Sequence, residues 1–440
     1  MNAARRIAPV LLLAAALGCS WDRFDALRDG TPVVDLSPPA GMELDFGATL
    51  AGLAAGDRTS VLVGSAPQSS GASVYLLGLD EDAAAAAADS NYCPASNDSR
   101  MCHLAAQPAS LQIAVSPSGR TRANCFVTGV GRAVSDVGLW ISCEDTAEFT
   151  IPVPADIESE VVEPALAGSG SPDVVLASER ASDSALVAGV GELSRAFYYE
   201  PSSFTPLDLT VAAGAPASFG AAVAVLGTAS GRVLAVGAPG VAELHLFAAD
   251  GTGPVQLGCL TGPDGFGRTL AAGDFDGDGS ADLAVSDDAE VRIVSGQLIG
   301  ELPAAAAAGC TLSLDSLVLS TLSCSNFGEA RDCAGSRFGG ALAIADFDGD
   351  GEAEVAVGAP RMTVRGHEDA GAVLVFDRAG AVVDARYTST TGPGHLFGAR
   401  LVALPQSDRD ILAVTAPGAA AASVVYCATL AGSGNSPRCP

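Results

Sequence analysis

The sequence predicts an all-β fold, and three observations support this. A stretch that begins at Phe266 recurs at Phe338, and each copy has a short apolar run, an acidic glycine-rich loop and a second run rich in Val and Ala. From Phe46 onward the chain repeats at roughly sixty residues, which indicates an array of one supersecondary unit. Aromatic residues make up only 5% of the chain, and long helical patterns are almost absent, so strands are expected to form the core.

The acidic loop reads Asp-x-Asp-x-Asp-Gly in both copies, from Asp274 and from Asp346, and a further acid follows the glycine. Carboxylates at alternate positions converge on a hard cation only where the backbone curls around it, and glycine permits that curl. An EF-hand is rejected because the flanks are β-rich and the twelfth loop position is Val285 or Val357, where an EF-hand has Glu. The loops predict calcium sites between antiparallel strands.

These motifs resemble the FG-GAP repeat of integrin α-chain β-propellers and their bacterial relatives. The order Phe-Gly, acidic loop, Gly-Ala-Pro is complete between Phe338 and Pro360. Other Phe-Gly pairs and other Gly-Ala-Pro tripeptides or close variants stand at Phe46-Gly47, Phe219-Gly220, Phe397-Gly398, Gly237-Ala-Pro239, Ser65-Ala-Pro67 and Thr415-Ala-Pro417. The resemblance implies a β-propeller, with each Phe wedged between adjacent blades.

We expect seven blades of four antiparallel strands, with six or eight as alternatives. Phe-Gly starts account for five units, and the interval from 47 to 219 has room for two degenerate ones. The strand-length runs in this interval are Leu111–Val115, Asn124–Thr128, Val137–Cys143, Phe149–Val153, Val161–Ala167, Val174–Ala177, Ala185–Val190 and Arg195–Tyr199. The last blade runs out of residues after Val425, so the first strand, Val33–Leu36, is expected to pair with it and close the ring.

Two calcium sites are predicted, and the same pattern of ligands is expected in each. The first would use the side chains of Asp274, Asp276, Asp278 and Asp282 and the carbonyl of Ser280. The second would use the side chains of Asp346, Asp348, Asp350 and Glu354 and the carbonyl of Glu352. Glu354 departs from the Asp that the family usually has, so a different or weaker second site is expected. The resemblance implies that both loops face away from the ligand face, which makes their role structural.

Residues 1–18 are predicted to be a bacterial lipoprotein signal peptide. Arg5-Arg6 precede an apolar run that is too short to span a bilayer, and Gly18-Cys19 follows it. Cys19 is the predicted lipidation site, and an ordinary secretory signal is the alternative. Residues 19–32 would be a tether and 33–440 the propeller, with a cysteine-containing insertion at 297–337 that is either a recognition loop or an elaborated outer strand. We expect an exported lipoprotein anchored to the outer membrane, on its periplasmic or cell-surface face, and attached only through lipid.

Eleven cysteines indicate an oxidising compartment. Ten remain without Cys19, and we expect them to form disulfides. Closeness in sequence suggests the pairs Cys93–Cys102, Cys125–Cys143, Cys324–Cys333 and Cys427–Cys439, which leaves Cys259–Cys310 by elimination. Sequence does not fix this connectivity.

The formal charge of −28, with no lysine, argues against binding to nucleic acid or to an anionic membrane surface. Enzyme signatures are weak. The four histidines, His103, His245, His367 and His395, have no ligand spacing and are expected on the surface or in loops. The segment 168–172 lacks the Gly-x-Ser-x-Gly order of a nucleophile elbow.

The leading hypothesis is a non-enzymatic, calcium-binding propeller that serves as a binding or adhesion platform for an unknown protein or glycan. One alternative is a glycan-active hydrolase or lyase, which needs convergent carboxylates outside the calcium loops. The other is a purely structural component of the envelope.

Overall fold

The computed structural model describes the chain in segments. The described residues are 33–36, 47–55, 58–64, 72–78, 101–107, 114–116, 125–133, 136–143, 149–162, 174–178, 185–200, 205–249, 253–287, 289–302, 310, 312–326, 333, 335–386, 393–404, 410–419 and 422–426. The predicted signal peptide, the tether with Cys19, and Cys93, Cys427 and Cys439 lie outside them.

Four sheets are described with side chains from every strand, and they are blades of an all-β propeller. In each, four consecutive strands pair in chain order. Their strands are β10 (Val175–Ser178), β11 (Leu186–Val190), β12 (Arg195–Tyr199), β13 (Pro206–Asp208), β14 (Ala222–Thr228), β15 (Gly231–Ala238), β16 (Glu243–Ala249), β17 (Pro254–Thr261), β18 (Thr269–Gly273), β19 (Asp282–Ser286), β20 (Glu290–Val294), β21 (Val318–Ser323), β22 (Ala341–Ala345), β23 (Glu354–Ala359), β24 (Ala372–Phe376) and β25 (Val382–Arg386).

Three further four-stranded sheets are described mainly by their backbones. Two follow chain order, β2–β5 and β6–β9. The strands are β1 (Val33–Leu36), β2 (Thr49–Ala55), β3 (Arg58–Gly64), β4 (Ala72–Gly78), β5 (Met101–Gln107), β6 (Ala114–Ser116), β7 (Cys125–Ala133), β8 (Asp136–Cys143), β9 (Phe149–Pro152), β26 (Leu401–Leu404), β27 (Ile411–Ala416) and β28 (Ala422–Tyr426).

The remaining sheet joins the two ends of the chain, in the order β1-β28-β27-β26. Strand β1 is antiparallel to β28, with Val33 opposite Tyr426 and Leu36 opposite Ser423. This is the pairing that the sequence predicted from the short last unit. It supplies the fourth strand of a sheet that would otherwise have three, and it covers one edge of β28.

The hydrophobic core lies between neighbouring blades, and the Phe of each described Phe-Gly pair belongs to it. Phe219 packs with β11 and β15, and Phe266 packs with β16 and β19. Phe338 and Phe397 have the same position at the next two junctions. All four rings are at most 1% exposed. The wedge that the resemblance implied is therefore present.

The glycines of Phe-Gly and Gly-Ala-Pro contact each other, which explains their linked spacing. Within a blade, the N–H of Gly220 donates to the carbonyl of Gly237 at 3.0 Å, and Gly339 donates to Gly358 at 3.0 Å. Between blades, a Cβ on Gly237 would lie 1.9 Å from the carbonyl oxygen of Gly267. A side chain at this position would collide with the next blade, so the close approach of the two backbones requires glycine.

The predicted strand Val161–Ala167 lies mostly outside the described residues, and its first two residues are not in a strand. Ala155–Ile157 form a short helix, α1, that continues into a π-helical turn at Glu158–Val162. Ile157 and Val161 are four residues apart in this helical segment and both are fully buried, so they share its buried face. The outer strand of that blade is β13, which the sequence reading missed.

The insertion at 297–337 is in part an outer strand. A five-residue helix, α2 (Gly296–Gly300), begins it, and β21 follows as the fourth strand of its blade. Residues 318–323 of the insertion are therefore an outer strand, which was one of the two alternatives from the sequence. Leu312 also forms a parallel bridge with Leu260 of β17, so the insertion contacts the preceding blade.

Candidate metal centre

Both acidic loops join the first and second strands of their blades, 274–281 between β18 and β19 and 346–353 between β22 and β23. Equivalent loops of neighbouring blades lie on the same face of a propeller. The first loop is also attached to the preceding blade, because the N–H of Ala281 donates to the carbonyl of Gly227 at 2.8 Å. The second is attached to the following one through Asp410, whose N–H donates to the carbonyl of Asp346 at 2.6 Å.

The first aspartate of each loop fixes its curvature. Asp274 accepts the N–H of Gly277 through Oδ1 at 2.9 Å and that of Gly279 through Oδ2 at 3.0 Å. Both glycines have positive φ, 74° and 86°, which favours glycine. Asp346 makes the equivalent pair of bonds in the second loop. The curl predicted from the sequence is therefore present in both copies.

Three carboxylates converge in each loop. In the first, Asp274, Asp276 and Asp282 offer oxygens that all lie within 4.8 Å of one another. In the second, the same is true of one oxygen each from Asp346, Asp348 and Glu354. The donors are oxygen atoms of carboxylates, which hard cations such as calcium prefer, so this part of the predicted ligand set fits such an ion.

Of the predicted side-chain ligands, Asp278 and Asp350 are not part of these groups. Asp278 and Asp350 are exposed, and each Oδ1 accepts the N–H of the residue two positions on, Ser280 at 2.7 Å and Glu352 at 2.8 Å. Ser280 is 2% exposed and Glu352 is exposed. The side chains of Asp278 and Asp350 alternate with the converging carboxylates along each loop, but they are not among the three that converge.

Asp282 and Glu354 are the buried members of the two groups. Asp282 is fully buried, and its Oδ2 accepts the N–H groups of Phe275 at 2.9 Å and Asp276 at 3.1 Å. Glu354 is 4% exposed, and its Oε2 accepts the N–H of Phe347 at 2.8 Å. Despite its extra methylene, Glu354 therefore accepts the same hydrogen bond as Asp282, from the N–H of the Phe that follows the first aspartate of its loop.

Burial and like charge raise the pKa values of these acids. Burial raises the pKa of Asp282 to about 6, although hydrogen bonds from backbone N–H groups oppose the rise. Burial raises the pKa of Glu354 to about 8, and the negative charges of Asp348, Asp346 and Asp350 add to the effect. The pKa of Asp348 is raised by burial as well. A cation among these groups would favour their ionised forms.

The inner strands line a cavity of about 620 Å³. Apolar side chains from three neighbouring inner strands, Val223, Leu270 and Ile344, form part of its wall. Asp274, Asp346 and Asp410 also line it, so the first aspartate of each acidic loop borders this space. The Ala, Gly and Val content of the first strands suits this narrow interior, as the sequence indicated.

Two of the five suggested disulfides are described. Cys259 is bonded to Cys310 and Cys324 to Cys333, with Cα atoms 4.6 and 5.8 Å apart. Cys125 stands directly opposite Cys143 in the register of β7 and β8. The other two suggested pairs each include a cysteine outside the described residues.

Sequence reasoning missed a group around His245. This residue lies in β16 and is 2% exposed, so the expectation of a surface or loop histidine is wrong here. Glu243, His245, Cys259 and Cys310 offer ligand atoms within 4.8 Å of one another. The spacing Glu-x-His was the only local signal, since folding brings the two cysteines there from other segments.

No helix in the described segments has the length and apolar character to cross a bilayer.

Comparison with curated proteins found no match. The FG-GAP repeat family matches the chain at residues 266–291 and 338–376. The first match runs from Phe266 through the first acidic loop into β20, and the second runs from Phe338 through the second loop to the end of β24. Each match thus contains one acidic loop with the strands that hold it. Residues 266–291 and 338–376 are FG-GAP repeats, and they stand in an all-β propeller.

Proposed function

We propose that the chain is a seven-bladed, calcium-binding propeller that acts as a non-enzymatic binding platform. The observation that carries the proposal is the pair of equivalent acidic loops, each with three carboxylates within 4.8 Å of one another, at equivalent positions of two adjacent FG-GAP repeats. FG-GAP propellers are scaffolds for binding and adhesion, and that resemblance gives the class of function.

The number of blades is supported by the backbone pairing. Four sheets with described side chains and three described mainly by backbone add up to seven four-stranded sheets. One of the seven is the sheet in which β1 pairs with β28, and this pairing fits a closed ring with no exposed edge.

Calcium is the proposed ion for both loops. Asp274, Asp276 and Asp282 would hold one ion, and Asp346, Asp348 and Glu354 would hold the other. Asp278, Asp350 and the carbonyls of Ser280 and Glu352 are the further ligands proposed from the sequence. The ion would neutralise charges that the fold forces together, so its role is to stabilise two turns rather than to act on a substrate.

The proposed ligand face is the one opposite the acidic loops. Loops between second and third strands reach that face, and the segment 360–371 is among the most elaborate of them. The N–H of Arg361 donates to the carbonyl of Ser336 at 2.9 Å, which joins this segment to the start of its own blade. The disulfide between Cys324 and Cys333 further restrains the insertion beside it. Rigid, irregular loops on a scaffold are suited to recognition.

The proposed location is the outer membrane, with a lipid on Cys19 as the only membrane attachment. The proposed partner is a protein or a glycan, and nucleic acid is disfavoured by the charge of −28. Among the described residues, the converging carboxylates lie within the two acidic loops, where the proposed role is to bind calcium, so a binding role is preferred over the hydrolase or lyase alternative.

A glycan panel and an envelope or host proteome test the function. Purified protein in excess calcium is expected to retain a ligand without turning it over. The matched variant Asp274→Ala/Asp346→Ala should lose part of this binding through loss of stability, and calcium should not restore it. Turnover of a glycan would support the enzyme instead, and neither retention nor turnover would support a structural component.

A further inference from the structure

A cluster of four ligand-capable side chains lies in the outer half of the β14–β17 blade, away from the acidic loops. Glu243 and His245 belong to β16, Cys259 to β17, and Cys310 to the insertion. The register places His245 directly opposite Cys259. Both are only 2% exposed. One ligand atom from each of the four residues lies within 4.8 Å of all the others, although the two sulfur atoms are bonded to each other.

The imidazole of His245 is suited to bind a metal. Its Nε2 is 3.0 Å from Oε2 of Glu243, and its Nδ1 is 3.4 Å from the side-chain nitrogen of Gln256. Burial lowers the pKa of His245, although Glu243 opposes the shift. The ring of Phe219 packs against it edge-on, with centroids 5.4 Å apart. The imidazole is thus shielded from water and stands next to a partly exposed carboxylate, and both groups are metal ligands.

We propose that Glu243, His245, Cys259 and Cys310 form a zinc site that exists only in the dithiol state, so that zinc and the disulfide exclude each other. Two thiolates, one imidazole and one carboxylate are four ligands that zinc accepts in tetrahedral sites. Thiolates select a soft or borderline ion over calcium, which keeps this site chemically distinct from the acidic loops.

The exchange between the two states balances as follows. A trialkylphosphine reduces the disulfide in water: the phosphine becomes a phosphine oxide with the oxygen of one water molecule, and the two hydrogen atoms of that water end on the two sulfur atoms. Zinc then displaces both thiol protons into solvent, because the thiolate is the ligand. If Nε2 of His245 binds the ion, the imidazole proton resides on Nδ1, and Nδ1–H donates a hydrogen bond to Oε1 of Gln256 once the amide has rotated to face the ring.

The site would hold the insertion in both redox states. Cys310, in the insertion, is bonded to Cys259 of this blade. Beside it, Leu312 of the insertion bridges to Leu260 of β17. In the oxidised protein the covalent bond provides the attachment. In the reduced protein the ion would provide it through the same two sulfur atoms, so zinc is expected to keep the insertion on the blade.

Residue-resolved alkylation tests the proposal. The full chain is reduced with a trialkylphosphine, freed of it under argon, kept in excess calcium and alkylated with or without zinc, and each cysteine is followed by peptide mass mapping. We expect zinc to slow the alkylation of Cys259 and Cys310 at least about tenfold. Cys324 and Cys333, the other described pair, should react equally fast in both conditions. Equal rates at Cys259 and Cys310 with and without zinc would overturn the proposal. This holds even if reduction unfolds the chain, because the proposal requires zinc to bind the reduced protein.

Variants and cobalt distinguish this site from zinc captured by loose thiols. His245→Gln and Glu243→Gln should each reduce the protection at least about tenfold, whereas Cys324→Ser/Cys333→Ser should keep it. Cobalt added to the reduced control variant should show a thiolate-to-metal charge-transfer band that His245→Gln weakens. Glu243 is half-buried, so its Gln variant is expected to fold. Unchanged protection in a folded Glu243→Gln protein would rule out the four-ligand site.

Discussion

The carboxylate of Asp282 accepts the backbone N–H of Gly296 through Oδ1 at 2.8 Å. Gly296 is the first residue of α2, so the last acid of the first acidic loop is joined to the start of the insertion. The same carboxylate accepts two N–H groups of its own loop through Oδ2. Asp282 therefore organises the polypeptide around it in addition to its proposed role as a metal ligand.

Asp282→Ala is expected to destabilise the calcium-free protein. It leaves the N–H groups of Phe275, Asp276 and Gly296 without their acceptor, and a buried unsatisfied donor costs about 1–3 kcal/mol. Relief of a desolvated charge offsets part of this, so we expect a net loss of about 2 kcal/mol or more in the free energy of unfolding. Urea denaturation with chelator present measures it. The exposed Asp278 serves as the control. Asp278→Ala removes the acceptor of one N–H only, that of Ser280, so it should cost about 1 kcal/mol.

Glu354 should make the stability of the calcium-free protein depend on pH. Its pKa is raised to about 8 in the folded state. At pH values between the ordinary pKa of a glutamate and 8, the folded chain therefore still holds a proton that the unfolded chain has released. Stability from this group is thus present at low pH and is lost as pH rises toward 8. Near pH 6.5 to 7 stability should therefore fall by about 1.4 kcal/mol per pH unit, and this slope should drop to about half at pH 8, where the folded group itself is half ionised.

The measurement is chemical denaturation at several pH values in chelator. Glu354→Gln should flatten the curve over this range, whereas the exposed Glu352→Gln should leave it unchanged. Excess calcium should also remove the fall, because the ion favours the ionised carboxylate. An equal slope in wild type and Glu354→Gln would contradict the assignment.

Ser286→Ala should stabilise the protein. Ser286 is fully buried where the neighbouring blades have the Gly of Gly-Ala-Pro, and among the described residues its Oγ has no hydrogen-bond partner. A buried unsatisfied hydroxyl costs about 1–3 kcal/mol, so its removal should raise the free energy of unfolding by about 1 kcal/mol. Ser295 of the same blade is the matched control. Its Oγ accepts the N–H of Leu298 at 3.3 Å as a helix cap, so Ser295→Ala should lower stability by about 0.5–2 kcal/mol.

The repeat units could be predicted from sequence where their motifs are complete. Phe-Gly and Gly-Ala-Pro are bound to each other by the Gly339–Gly358 hydrogen bond and by the close contact of Gly237 with the next blade. These contacts restrict both the residue types and their spacing, so the motif carries the geometry. Closure by β1 was also predictable, because the last unit lacked residues for a fourth strand.

The degenerate units and the buried cluster were harder to predict. Ile157 and Val161 are four residues apart, which places them on one face of either a strand or a helical turn, and only the folded backbone shows that the helical turn forms. Cys310 reaches His245 through the tertiary placement of an insertion, for which no local pattern exists. In the acidic loops, the alternation of acids is visible in the sequence, but that pattern does not distinguish the converging Asp276 from the exposed Asp278.

Calcium removal should lower the melting temperature reversibly. Each loop holds three carboxylates within 4.8 Å of one another, and without a cation their repulsion opposes the turn that joins two strands. At free calcium about a hundredfold above the dissociation constant, each site would stabilise the fold by roughly 2.7 kcal/mol. Asp274→Ala and Asp346→Ala should each abolish about half of the calcium-dependent shift, because the two sites are separate. The control is Asp377→Ala, a residue whose carboxylate caps a turn by accepting the N–H of Ala381 at 2.8 Å, and it should keep the full shift. Thermal unfolding with chelator and then with added calcium measures all four proteins, and a wild-type curve that responds to neither addition would exclude calcium from both loops.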